Sequence, residues 1–195
     1  MLRQTKRVVI SVTFLLAVST IGCPAVRPRT IIYDQGNVGV VGVESVGYSG
    51  SHQAADGFSL AVGLSTISRV EWWGRGMPGY TTPNELVIRI FEDDGSGKPS
   101  RHPLYAIPVG PANRRATGGV TDYDQPIYSY AANITPITLR AGFQYYLSIV
   151  DESPRAWGWM ESNDIPGHGQ RYSRYGDGDP WTAADRIDYA FRLRQ

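Results

Sequence analysis

From about Ile31 onward, apolar and polar side chains alternate with a two-residue period in run after run, and no stretch sustains a 3.6-residue apolar period. The clearest run closes the chain. Ile187, Tyr189, Phe191 and Leu193 alternate with Asp188, Ala190, Arg192 and Arg194, which predicts a strand with four large side chains on one face. Phe58, Leu60 and Val62 alternate with Ser59 and Ala61 in the same way. Leu86, Ile88 and Ile90 oppose Glu85, Val87, Arg89 and Phe91, and Tyr145, Leu147 and Ile149 face away from Gln144, Tyr146 and Ser148. Further strands are predicted near 38–43, 67–73, 104–109, 127–132, 156–161 and 170–175. Turn clusters separate them at Asp93–Pro99, Gly118-Gly119, Pro166-Gly167 and Gly176–Pro180, where glycine supplies positive φ and proline ends a ladder. About ten short strands with turns at this density predict an all-β fold, an antiparallel β-sandwich of jelly-roll type. The lack of helical segments between strands argues against a parallel α/β sheet.

The N-terminus breaks this pattern. Arg3, Lys6 and Arg7 precede an apolar stretch over 8–21, followed by Gly22-Cys23-Pro24-Ala25. A basic start, a short apolar segment and small residues match a secretory signal, and the segment falls short of the roughly 20 residues that span a bilayer. Thr20-Ile21-Gly22-Cys23 resembles the bacterial lipoprotein motif, in which Cys23 would be lipidated; Thr20 stands where that motif usually has a leucine-like residue. Ordinary cleavage after Ala25 is the competing route, and both stay open. Cys23 is the only cysteine, so after either route the mature body has no thiol for disulfides, metal clusters or thiol catalysis. The predicted organisation is a signal peptide over 1–22, a linker over 23–36 and one sandwich domain over 37–195.

Composition adds limits. The chain has 195 residues, 42% apolar and 19% charged, which excludes a disordered polyelectrolyte and a membrane bundle. Its 19 basic and 18 acidic residues leave +1, too weak a field to suggest nucleic acid; without 1–22 the balance is 16 against 18, or −2.

Five tryptophans and twelve tyrosines are many for this length. Alternation over 67–73 puts Val70 and Trp72 on one face, and Ile67, Arg69, Glu71 and Trp73 on the other. Trp157 and Trp159 share a face with Glu161. Flat aromatic surface beside polar groups can hold a sugar, the ring's apolar face packing on the indole while hydroxyls bond to the neighbours. Arg69, Glu71, Trp73, Trp157, Trp159 and Glu161 are therefore the candidate ligand-binding residues; the plain alternative is that the tryptophans fill the interior. No cofactor is predicted. Glu92-Asp93-Asp94 and the Asp177-x-Asp179 pair offer oxygen ligands for Ca²⁺, although neither has EF-hand spacing and Asp is also a common turn residue. His52, His102 and His168 show no metal-pair spacing, and Gly47-Tyr48-Ser49-Gly50 misses the nucleophile-elbow pattern. Asp151, Glu152 and Glu161 are the carboxylates from which a glycosidase pair would have to be drawn.

A resemblance then enters. Gln53–Phe58, Val70-Glu71-Trp72-Trp73-Gly74 and Ile88–Asp93 with Lys98-Pro99 resemble a module of secreted bacterial proteins similar to lectin-like jelly-roll sandwiches. The likeness continues through Leu139-x-Ala141-Gly142, Tyr145-Tyr146-Leu147 and Trp157-x-Trp159 to Tyr189-Ala190-Phe191, covering most of 50–193. It implies an exported, surface-sorted protein and brings no catalytic motif. The C-terminal sorting segment of such proteins has no counterpart here, so anchoring would fall to Cys23. The expected function is non-catalytic binding of polysaccharide or another envelope component, with the membrane a partner through a lipid anchor and nucleic acid none. A structural module of the cell surface is the alternative, and a glycoside hydrolase a weaker one.

Overall fold

The structure, a computed structural model, describes residues 29–44, 52–76, 85–152, 157–163, 170–184 and 188–195. No helix occurs among them, and the strands form two antiparallel sheets. The signal segment, Cys23, His168 and Ile187 lie outside the described residues.

The first sheet is built on two long strands, β4 (Thr66–Gly76) and β8 (Pro126–Thr138), paired along most of their length. β7 (Asn113–Val120) extends it beyond β8. The other edge of β4 is shared. β13 (Phe191–Arg194) pairs with Arg69–Trp72 and carries β1 (Ile31–Asp34), while β10 (Trp157–Ser162) pairs with Gly74–Gly76 and carries β2 (Val38–Glu44). The second sheet runs β12 (Thr182–Ala183), β11 (Tyr172–Arg174), β3 (Gln53–Ser59), β9 (Gln144–Asp151), β5 (Leu86–Glu92), β6 (Tyr105–Gly110).

The inner faces meet in one apolar core. Val70, Trp72, Trp157, Trp159, Phe191 and Leu193 come from the first sheet, and Phe58, Leu86, Ile88, Ile90, Leu147 and Ile149 from the second. Trp72 stacks on Tyr130, Trp159 on Tyr189, and the Trp159 indole N–H donates to the Ala190 carbonyl at 3.1 Å. Each large aromatic so enclosed removes 150–250 Å² of surface from water, worth on the order of 4–6 kcal/mol gross.

Several expectations need correction. The segment expected to be a linker contains β1, because Ile32 is buried in the core and β13 offers a free edge to pair with. Gly118-Gly119 is no simple turn: both glycines lie in β7, where an irregularity between Ala116 and Val120 is accommodated by Gly118 at φ +83°. The alternation through Val62 stops at Leu60; Val62 is 91% exposed, in a turn closed by Gly63. Ile67 packs in the core instead of sharing the face of Arg69, because a β-bulge between Ile67 and Arg69 shifts the register. β5 is buried on both faces, since Phe91 joins Ala55, Tyr146, Tyr172 and Trp181 in an apolar cluster on the outer face of the second sheet.

Candidate functional site

The strand β4 turns Arg69, Glu71 and Trp73 outward, opposite Val70 and Trp72. Their neighbours follow from register. Trp73 stands opposite Ser129, which stands opposite Arg115; Glu71 stands opposite Ala131, which stands opposite Asn113. The middle strand of these three contributes small side chains where its neighbours contribute large ones. The result is a groove of about 320 Å³ across the outer face of the first sheet, floored by Ser129 and Ala131 and walled by Trp73 and Glu71 on one side and Arg115 and Asn113 on the other. All five tryptophans are described; four are buried, and Trp73 alone is partly exposed.

Electrostatics define the groove further. Glu71 receives Arg69 at 2.8 Å, Arg194 at 3.0 Å and Arg192 at 3.7 Å. Partial burial pushes its carboxyl up, but hydrogen bonds and charge from Arg69 and Arg194 win, holding it below the usual carboxylate range. Arg192 also pairs with Asp34 at 3.0 Å and lies over the Trp73 ring at 5.7 Å. Arg69 donates to Asn133 at 3.0 Å. Arg115 is exposed and has no acidic partner among the described residues.

The six candidate residues therefore separate. Arg69, Glu71 and Trp73 converge on one groove. Trp157 and Trp159 do not offer surface to a ligand: both are fully buried on the inner face, where β10 turns them against the second sheet. Glu161 is buried and ion-paired with Arg171 at 2.8 Å, beside Tyr189 rather than Trp73. Arg115 and Asn113 were not legible, since Asn113–Val120 shows no two-residue alternation; Ser129 lies in a predicted strand, but only pairing register brings it between Trp73 and Arg115.

Three of the calcium candidates, Asp177, Asp93 and Asp94, accept hydrogen bonds from protein groups. Asp177 accepts from Arg89 at 2.6 Å, Arg174 at 2.9 Å and Gln53 at 3.1 Å. Burial pushes this carboxyl up, yet the Gln53 hydrogen bond and the Arg89 and Arg174 guanidinium groups hold it below the ordinary range. Arg89 and Arg174 are 5% and 2% exposed, so Asp177 neutralises buried cations and clamps its loop over the second sheet. Asp179 lines a separate polar depression with Asp94, Lys98 and Arg101. Asp93 and Asp94 accept from backbone N–H groups of their own turn, at Gly95 and Ser96. No group of three metal-ligating side chains occurs among the described residues.

The carboxylates considered for hydrolysis are not assembled together. Glu152 pairs with Arg89 at 2.7 Å, Asp151 is buried at the end of β9, and Glu161 belongs to the other sheet. A different acid is strongly perturbed. Asp56, on the inner face of β3, is fully buried; burial first and the Asp188 charge second drive it well above the usual range, against a 2.6 Å hydrogen bond from the Tyr189 N–H. It is enclosed in protein and meets no groove.

The sequence matches no known protein-family model and no curated protein.

Proposed function

We propose that this chain is an exported, non-catalytic β-sandwich that binds glycan of the cell envelope or its surroundings in the groove beside Trp73. The observation that carries this reading is convergence: one partly exposed indole, hydrogen-bonding side chains and a hollow floor share the outer face of β4, β7 and β8. An apolar wall with a few fixed polar groups suits a pyranose ring. Concavity favours this over a purely structural surface module, for which a flat apolar face would be expected.

A glycan array and polysaccharide pull-down test the reading. Binding is expected, with Trp73→Ala weakening it tenfold or more while Trp181→Phe, distant in the second sheet's outer cluster, leaves it unchanged. Absence of binding, or Trp73→Ala binding as the parent does, refutes it. Export rests on the leader ending at Cys23. Mass spectrometry of the mature N-terminus is expected to show either lipidated Cys23 or cleavage after Ala25; an intact Met1 start would refute export.

A further inference from the structure

The outer face of the first sheet concentrates charge that the chain as a whole does not have. Arg69, Arg192 and Arg194 surround Glu71 there, Arg192 also pairs with Asp34, Arg29 donates to Asn133 and Arg115 lies exposed, so these five arginines outnumber the two acids by three, whereas the full chain carries only +1. Glu71 lines the groove but is occupied by three guanidinium groups, so it offers little acceptor capacity to a ligand. Arg69 is held by Glu71 and Asn133 and serves as a fixed wall. Arg115 stands across the hollow floor from Trp73, two strands away, which at the spacing of paired strands is about 10 Å between backbones. Its backbone is tied down, the Ser129 hydroxyl donating to the Arg115 carbonyl at 3.3 Å, while its side chain reaches into solvent without a carboxylate partner. A guanidinium so placed recognises a planar carboxylate through two parallel N–H donors.

Resting on the reading of the groove as a glycan site, we infer that its ligand is an acidic polysaccharide bearing ring carboxylates. A sugar ring packs on the Trp73 indole and its carboxylate pairs with Arg115, while the Glu71-centred arginines keep the surrounding potential positive. A neutral glycan would leave Arg115, which faces the groove without a carboxylate of its own among the described residues, unpaired.

The experiment titrates the full mature chain with polygalacturonate, alginate and hyaluronan, each beside its methyl-esterified form, following the protein's tryptophan fluorescence against Trp73→Phe as control. Each ester keeps the sugar backbone and loses the charge. At least one acid form is expected to bind tenfold or more tighter than its ester, with affinity falling as salt is raised. Arg115→Ala is expected to remove that preference, leaving the ester's weaker affinity in place, and Arg115→Lys to restore part of it. Acid and ester binding equally through Trp73 overturns the inference and leaves the glycan reading standing. No binding by any form, with the glycan array also blank, overturns both. Polyphosphate or anionic phospholipid vesicles binding as tightly as the best polyuronate would assign the charge to another ligand class and overturn the inference.

Discussion

At Gly74 an added Cβ would lie 2.5 Å from the Trp157 indole nitrogen and 2.6 Å from its ring carbon, nearer than real contacts allow. The glycine lets β10 lay an indole flat across β4. Gly74→Ala is expected to cost roughly 1–3 kcal/mol by overpacking, measured as a lowered urea midpoint with unchanged slope. Trp73 stands two strands from Arg115. It is the one partly exposed tryptophan, so iodide should quench a single component of the protein's fluorescence, and Trp73→Phe should abolish that component. Several accessible components would contradict the burial of the other four.

Among elements, β13 joins three parts of the fold. It pairs with β1 and β4 and sends Phe191 and Leu193 into the core, while Arg192 and Arg194 turn outward to Glu71. One strand thus contributes to both the core and the wall of the groove. Phe191→Ala is expected to destabilise by about 3–5 kcal/mol, the range for a buried aromatic removed from a packed interior. Deleting 187–195 should leave an insoluble or molten product; a cooperative melt unchanged by that deletion would show β13 to be dispensable. β7 has the opposite character, exposed along its whole length and paired, among the described strands, with β8, yet it supplies the groove's second wall.

The molecule as a whole carries opposing proton linkages. Asp56 binds its proton more tightly folded than unfolded, so its favourable contribution is present below about pH 4 and is lost as pH rises through its elevated folded value. Glu71 and Asp177 have depressed values, so theirs is present above the ordinary carboxylate range and lost as pH falls through the folded values. Asp56→Asn keeps an oxygen for the Tyr189 N–H and removes the buried ionisation. Chemical denaturation of the two proteins between about pH 5 and pH 8 should show the parent losing stability relative to Asp56→Asn as pH rises. Parallel curves would mean that Asp56 is already ionised in the folded protein at pH 5, which would contradict a raised folded value.

Local pattern alone determined the fold class and the outward face of β4, because a two-residue period states which side chains share a surface without any knowledge of partners. It therefore placed Arg69, Glu71 and Trp73 together. Pattern is silent on which layer covers a face, and so it could not separate Trp73 in solvent from Trp157 and Trp159 in the core; that depended on which face of the first sheet packs against the second. Nor could it find β7, whose exposed residues have no buried face to impose alternation. The groove itself exists only through pairing register, which sets two small side chains between rows of large ones, and register joins residues that are distant along the chain.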